Sequence, residues 1–367
     1  MKFDRLSQGF VHRTGNGKTS PVAVHSRCAV TRGGDVLCHY VLQEKLGQND
    51  FRPCLARSRD GGLTWHSQLL WPHLHANWSI IGNLSRSPRG DIFLGGARTR
   101  IDRPGESFWC DATQGMKPND LIWARSRDDG ATWGEPGVIP NPIPGCAEAT
   151  APLLATTGGI WVTSFAPYNT FDSNLAVPRN QLVGMWSDDE GRKWQHTAVM
   201  KFPHDDSSAA GHSIVELSDG RLLGVTWHIN ETFPKPPPNA YALSNDHGRT
   251  WGATLETGIH GQSTGLAALP DGGVLLVYTQ RKHREVGIWL ALTRPTENDF
   301  GIEADEIIWK AETPTQSSSS GEHSSWTDFA FGAPSVVLLS DGTLLATLWC
   351  IQPSGSGIRY VKLRMNK

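Results

Sequence analysis

An eight-residue pattern, S-x-D-x-G-x-T-W, recurs along the chain and strongly limits what the chain can fold into. It occurs at residues 58–65, 126–133 and 244–251, and residues 187–194 keep every position except the threonine. One copy would be weak evidence. Four copies at a spacing of about 60 residues indicate that one supersecondary unit is used repeatedly.

A second repeat consists of short apolar runs that meet at a glycine-containing turn, six times along the chain. Asp-Gly and Gly-Gly between β-rich runs are typical of hairpins, because glycine adopts positive φ at little cost. Each unit therefore contains a hairpin, an excursion, a strand, the octapeptide turn and a further strand. Four strands repeated radially form a propeller blade.

The sequence thus predicts an all-β protein, a six-bladed β-propeller of four-stranded antiparallel blades in a single domain, 1–367. An N-terminal strand near Phe10 is expected to complete the last blade, because an open strand edge would invite aggregation. The predicted blades are 25–72, 79–140, 147–200, 210–260, 262–311 and 329–365.

Composition narrows the function. The net charge of −2 argues against a nucleic-acid-binding surface, which needs concentrated Lys and Arg. No run of 18 apolar residues predicts a transmembrane helix, and the start lacks the apolar stretch of a signal peptide, so we expect a cytoplasmic protein without a membrane partner. The six cysteines lack C-x-x-C spacing, so no zinc site is predicted. Cys28 and Cys38 are expected to face each other across one hairpin as buried thiols.

The octapeptide resembles the Asp box of the sialidase (neuraminidase) superfamily. The resemblance covers nearly the whole chain and implies a propeller whose site lies at one end of the central tunnel. That site would be built from the starts of the innermost strands and from the segments that follow each hairpin. The box itself is expected to be structural, with Asp accepting backbone hydrogen bonds and Trp packing between sheets.

The resemblance also implies an arginine set for a substrate carboxylate. Arg27 stands where sialidases carry an arginine that grips this group, and a guanidinium offers a carboxylate two parallel donors. Arg281 or Arg284, after the fifth hairpin, resembles another member of the set. Arg98 leaves the second hairpin and is a further candidate for substrate binding.

Two departures from the family pattern argue against orthodox sialidase catalysis. His212 stands where similar sialidases have a glutamate on the fourth blade, and Trp227 or His228 replaces the arginine that follows. The family's nucleophilic tyrosine on the sixth blade has no counterpart in residues 328–335. Trp227, His228 and Tyr278 are expected to bind substrate instead.

Acid–base chemistry remains available from three other groups. Asp50 resembles the family's acid/base aspartate, and Glu148 is a carboxylate at the start of an inner strand. Two carboxylates flanking a glycosidic bond suffice for hydrolysis. His212 is of a type that acts as acid or base near neutral pH. We therefore assign catalysis to Asp50, Glu148 and His212, with no cofactor and no metal.

Three functions stay open on the sequence. The first is an exo-glycosidase acting on an acidic or polar sugar, which makes a small carbohydrate the expected partner and leaves a homo-oligomer possible. The second is a lyase that uses His212 or Tyr278 as base. The third is a propeller that binds glycans without catalysis. Three excursions are candidates to cover the site: 232–238, 312–326, and 99–119, in which Phe108 and Trp109 could stack on a sugar ring.

Overall fold

The computed structural model describes residues 2–15, 21–172, 174–230, 232–316 and 326–366. Within these ranges the chain forms 27 strands and two short 3₁₀ helices, Pro72–Leu74 and Trp326–Asp328. The strands assemble into six sheets, of which five have four strands and one has seven. The predicted all-β propeller is confirmed.

The first two four-stranded sheets follow the predicted order from the tunnel outwards, β2-β3-β4-β5 and β6-β7-β10-β11. A small hairpin, β8–β9, lies in the excursion of the second sheet. The strands up to this point are β1 (Lys2–Thr14), β2 (Val22–Val30), β3 (Val36–Gln43), β4 (Arg52–Ser58), β5 (His66–Leu69), β6 (Trp78–Arg86), β7 (Ile92–Arg100), β8 (Trp109–Cys110), β9 (Gly115–Met116), β10 (Asn119–Ser126) and β11 (Gly137–Ile139).

The third sheet departs from the predicted four strands. Its inner strand is split into two pieces that both pair with the next strand, and Pro152, which has no N–H to donate, lies in the gap. The β8–β9 hairpin joins the same sheet through a parallel pairing. The prediction of six four-stranded blades is therefore correct for five sheets and wrong for this one. Its own strands are β12 (Cys146–Glu148), β13 (Leu154–Ala155), β14 (Trp161–Thr170), β15 (Gln181–Ser187) and β16 (Gln195–Lys201).

The last three sheets are four-stranded, and the final one includes β1 as its outermost strand, paired antiparallel with the C-terminal strand. The predicted closure by the N-terminal strand is confirmed. The remaining strands are β17 (Ser208–Glu216), β18 (Leu222–Ile229), β19 (Ala240–Ser244), β20 (Leu255–Glu256), β21 (Thr264–Ala268), β22 (Val274–Gln280), β23 (Gly287–Thr293), β24 (Ile302–Lys310), β25 (Phe331–Leu338), β26 (Leu344–Gln352) and β27 (Gly355–Asn366).

Local chemistry explains why the repeats fold alike. All six predicted hairpins turn through a glycine with positive φ, such as Gly34 (91°) and Gly220 (87°). In the octapeptides, the Ser hydroxyl accepts a hydrogen bond from the Gly amide, at 2.8 Å in Ser58 and Gly62. The Trp rings pack on the apolar clusters between neighbouring sheets, as Trp65 does. The expected structural role of the box is confirmed.

The core lies between adjacent sheets. One cluster joins the fifth and sixth sheets, and another, containing Leu37 and Ile80, joins the first and second. Innermost strands of neighbouring sheets contact each other, β2 with β6 and β25, and β21 with β17 and β25. They surround a central tunnel with a cavity of roughly 580 Å³.

Cys28 and Cys38 lie opposite each other in the β2–β3 ladder, and all six cysteines are free. The predicted pair of facing, buried thiols is confirmed. Among the described residues, no helix is long and apolar enough to span a bilayer.

Candidate active site

Three innermost strands share an irregularity near their starts. The register of β2, β17 and β25 shifts there. A residue inside each shift has positive φ: His25 (59°), Gly211 (52°) and Ala333 (41°). Such conformations are uncommon for non-glycine residues, and bulges next to active sites re-aim side chains. This end of the tunnel, which we call the tunnel mouth, is the candidate active site.

Arg27 is a buried cation at the tunnel mouth, with a relative exposure of 6%. Its Nη1 donates to the carbonyl oxygens of Ser26 (3.0 Å), Ala333 (2.9 Å) and Pro334 (3.0 Å). Its Nη2 is buried and has no partner among the described residues. Burial lowers the pKa of Arg27 to about 10, and the negative charge of Glu148 opposes that shift.

Arg281 is a second buried cation. Its Nη1 donates to Gln262 Oε1 at 2.5 Å, its Nη2 donates to the carbonyl oxygen of Phe331, and its guanidinium lies 3.8 Å from the ring centre of Phe329. Its Nε is buried without a partner in the described part of the chain. Burial lowers the pKa of Arg281 to about 9.

The two guanidinium groups contact one short segment of β25, residues 331–334. Every hydrogen bond that the described residues give Arg27 and Arg281 ends on an uncharged oxygen. Burying a cation without an acidic partner is costly. The arrangement therefore has the chemistry of an anion site, and a carboxylate would complete it.

Glu148 and His212 lie together, but their settings differ. Both Glu148 carboxylate oxygens accept from the Gly211 amide, at 3.0 and 3.1 Å, and the Glu148 side chain is 25% exposed. His212 is fully buried, with Nε2 3.0 Å from the Ser164 carbonyl oxygen and Nδ1 3.0 Å from Thr150 Oγ1. Both ring nitrogens are occupied. His212 is arranged as a positioning residue, and its acid–base role stays a prediction.

Asp50 lies in the segment between β3 and β4. Its Oδ2 accepts hydrogen bonds from the Glu44 amide and from Gln48 Nε2, each at 3.0 Å. Its Oδ1 is buried and has no partner among the described residues. Burial raises the pKa of Asp50 against the opposing effects of the Glu44 amide and the Arg52 charge. A carboxyl that holds its proton to higher pH is suited to act as a general acid.

Arg98 is already neutralised. Its Nε donates to Asp120 Oδ2 at 2.9 Å, and its guanidinium lies 4.2 Å from the ring centre of Trp78. This ion pair joins β7 to β10, where the two residues lie opposite each other. Arg98 thus differs from Arg27 and Arg281, and its predicted contact with substrate stays a prediction.

Trp227 and His228 point to opposite faces of β18, as successive strand residues do. His228 is stacked on Phe202 at 4.0 Å, with its Nε2 3.1 Å from Ser207 Oγ, and burial lowers the pKa of His228 to about 4. Trp227 lies opposite Ala210, beside the bulge, and is half-buried. Of the two, Trp227 retains surface for a ligand.

Tyr278 and Arg284 belong to one internal network. The Tyr278 hydroxyl donates to Asp305 at 2.9 Å, and Arg284 forms an ion pair with Asp305 while stacking on Trp289 at 3.5 Å. Tyr278 is fully buried, and burial together with the Asp305 charge raises its pKa. The structure therefore distinguishes the two candidate arginines, since Arg284 has a carboxylate partner and Arg281 has none in the described residues.

Tyr168, to which sequence reasoning assigned no catalytic or binding role, lies beside Glu148. In the β12–β14 ladder Tyr168 lies opposite Cys146, so it shares a face with Glu148. Burial and the charge of Glu148 raise the pKa of Tyr168, and the Trp109 ring lies 6.1 Å from it. Its position at the end of the third hairpin is the sequence signal that could have marked Tyr168 as a candidate site residue. The β8–β9 pairing that brings Trp109 to it was not readable from the sequence.

The remaining expectations concern metals and covering loops. Among the described residues no group of three or more His, Cys, Asp or Glu side chains could hold a metal ion. Phe233, in the 232–238 excursion, packs edge-on against His204 with ring centres 5.0 Å apart. Most of the 312–326 excursion, residues 317–325, lies outside the described residues.

Comparisons with known proteins agree with this fold. Residues 108–344 match the model of the BNR repeat-like domain family. A sialidase from Micromonospora viridifaciens is 28% identical over 221 residues, which cover 53% of this chain and 31% of that protein. The chain thus spans about a third of the length of this relative.

Solved structures show the likeness in fold alone, because their identities are low. A protein of unknown function from Dyadobacter fermentans superposes with a TM-score of 0.77 at 18% identity, with 99% of each chain covered. The Hadza microbial sialidase Hz136 gives 0.65 at 16% identity, covering 94% of this chain and 66% of that one. Since the match to the family model spans more than half of the chain, the chain belongs to the BNR repeat-like domain family.

Proposed function

We propose that the protein is a glycoside hydrolase that acts on a sugar bearing a carboxylate. The observation that carries the proposal is the pair of buried guanidinium groups, Arg27 and Arg281, at one end of the tunnel, neither of which forms a hydrogen bond or ion pair with a carboxylate of the described residues. An anionic sugar would supply the missing charge. The curated sialidase relative supports the same class of reaction.

In the proposed mechanism, Arg27 and Arg281 hold the carboxylate and fix the sugar ring. Asp50 donates its proton to the glycosidic oxygen as the bond to the leaving group breaks, a role supported by its raised pKa and its unpaired Oδ1. Glu148, whose side chain is 25% exposed, faces the positive charge that develops on the ring. Water then adds to the anomeric carbon and returns a proton to the Asp50 carboxylate. The half-buried rings of Trp109 and Tyr168 beside Glu148 offer apolar surface to the sugar.

The geometry favours hydrolysis over the lyase alternative. A lyase needs a base that is free to remove the proton next to the sugar carboxylate. Tyr278 donates its hydroxyl proton to Asp305, and both nitrogens of His212 are engaged. Neither presents an unoccupied basic atom.

The test uses 4-methylumbelliferyl glycosides of N-acetylneuraminic, glucuronic and galacturonic acids, with the galactoside and arabinoside as neutral counterparts. We expect release of the fluorophore from at least one acidic glycoside and a far slower reaction with the neutral ones. Release from neutral glycosides alone would contradict the proposal. An unsaturated uronate product would identify a lyase, and calorimetric binding of the free acids without turnover would identify a non-catalytic propeller.

A further inference from the structure

The excursion of the second sheet spans the two segments that carry the candidate carboxylates. We call residues 101–118 the strap. On one side, the amide of Asn49 donates to the Glu106 carbonyl oxygen at 2.7 Å, next to Asp50. On the other side, β9 pairs with the end of β14, the strand that also pairs with the segment ending in Glu148. The strap therefore connects the Asp50 segment to the Glu148 strand.

Lys117 is the charged centre of the strap and is 8% exposed. Its Nζ lies 2.6 Å from Glu106 Oε1 and 2.7 Å from Asp102 Oδ2. The same Glu106 oxygen accepts from Asn49 Nδ2 at 2.8 Å. Asn49 immediately precedes Asp50, so two polar contacts lead from the ammonium group to the residue before the proposed acid.

The backbone of Lys117 faces the opposite segment. Its carbonyl oxygen accepts from the Cys146 thiol at 3.2 Å, and Cys146 lies two residues before Glu148 in β12. One residue thus contacts the segments that carry both carboxylates, by its side chain on one side and by its main chain on the other.

We propose that Lys117 is a positioning residue that couples the Asp50 segment to the Glu148 strand and so holds Asp50 in its buried setting. The inference rests on the proposed function, which makes Asp50 the general acid. Supporting contacts of this kind fix the geometry of groups that touch substrate. Breaking the ion pairs of a buried ammonium group is also costly, because removing one partner leaves an uncompensated charge.

The experiment compares two double variants. K117M with E106Q removes one positive and one negative charge from the strap. R125M with D91N does the same to another ion pair of the second blade, in which Arg125 Nη2 lies 2.5 Å from Asp91 Oδ2 and both side chains are 16% exposed. The Asp50 carboxyl is titrated by NMR in protein labelled at aspartate Cγ, with the resonance assigned by its loss in D50N.

We expect the Asp50 pKa to fall towards its ordinary value in the strap variant and to stay raised in the control. On a hydrolysed acidic glycoside, kcat should drop about 10–100-fold with a shifted acidic limb and a nearly unchanged KM, as for a misplaced catalytic group. The single variant Lys117→Arg keeps the positive charge, so its Asp50 pKa and its kcat should stay close to the wild-type values. The titration needs no substrate, so a shifted Asp50 pKa without any hydrolysis would support the inference and count against the proposed function.

An unchanged Asp50 pKa in a folded strap variant would overturn the inference. If that variant does not fold, Asn49→Ala serves in its place, because it breaks the link to Glu106 without removing a charge. The same criterion applies to it.

Discussion

Asp128, in an octapeptide turn, and Asp50, in the segment between β3 and β4, are the same side chain in opposite settings. Asp128 Oδ1 accepts from the Thr132 amide at 2.8 Å and from Ser126 Oγ at 2.7 Å, and its Oδ2 accepts from Thr132 Oγ1 at 2.5 Å. These hydrogen bonds, led by the Thr132 hydroxyl, lower the pKa of Asp128 to about 2. Asp50 has an oxygen without a partner in the described residues, and burial raises its pKa.

The opposite shifts have opposite consequences for stability. Because the pKa of Asp128 is depressed in the folded state, its contribution is present above the ordinary value of 3.8 and is lost as pH falls through about 2. Because the pKa of Asp50 is raised, its contribution is present below the ordinary value and is lost as pH rises through the folded value. At neutral pH the hydrogen bonds to Asp128 therefore stabilise the fold, whereas the burial of Asp50 lowers its stability.

The strongest test of the contrast between Asp50 and Asp128 is to replace each aspartate separately with asparagine. Asp50→Asn should reduce turnover of an acidic glycoside by about 10²–10⁴-fold, the range for loss of a general acid. It should leave the melting temperature at neutral pH equal or higher, since a desolvated charge is removed. Asp128→Asn should do the reverse, with a lower melting temperature and unchanged turnover. Paired kinetics and thermal unfolding check both, and a melting temperature that drops in Asp50→Asn contradicts the contrast.

The next largest effect is expected when one of the two arginines Arg281 and Arg284 is replaced. Arg281→Met should lower kcat/KM for an acidic glycoside by about 10–100-fold, as expected for hydrogen bonds to a charged group. The free energy of unfolding should stay the same or rise, because Arg281 has no acidic partner among the described residues. Arg284→Met is the matched control, since it breaks the ion pair with Asp305 and should cost stability without changing the preference for acidic sugars. Equal kinetic effects of the two variants would refute this assignment.

A third prediction isolates the structural turns. Ser126→Ala removes a buried hydroxyl that accepts from the Gly130 amide at 2.8 Å. The free energy of unfolding should fall by about 1–2 kcal/mol, because a buried amide loses its partner. Denaturant titration measures this, and kcat/KM should remain at the wild-type value. A kinetic defect would mean that the turns and the tunnel mouth are coupled.

The smallest expected effect comes from repairing the fourth octapeptide. Lys193 stands where the other copies have threonine. Asp189 Oδ1 therefore accepts a hydrogen bond from the Lys193 amide at 2.8 Å, but Asp189 has no hydrogen bond from a threonine hydroxyl. Lys193→Thr should add that hydrogen bond and raise the melting temperature by about 1 °C, with no kinetic change. A lowered melting temperature would show that the lysine contributes something the other copies do not need.

Much of the fold was predictable because its information is local. The hydrogen bonds that the Ser and Asp side chains make in an octapeptide turn form within its eight residues, so each copy can be recognised from its own sequence. The four copies together set the phase of the strands. The six glycine turns are equally local. The third sheet was not predictable in the same way, because its split inner strand and the joining of β8–β9 depend on pairings between separate units.

The sequence by itself determined the propeller and the positions of the turns. It also identified Arg27, Asp50, Glu148 and Arg281 as candidate site residues from their places in the repeat. Only the tertiary structure decided which of these groups are unpaired. Arg27 donates to the carbonyl oxygen of Ala333, which is 306 residues away, and Arg284 forms an ion pair with Asp305. The physical reason is that the hydrogen bonds of the Ser and Asp side chains in a turn form within its own residues, whereas burial and neutralisation of a charge depend on partners that only the folded chain brings together.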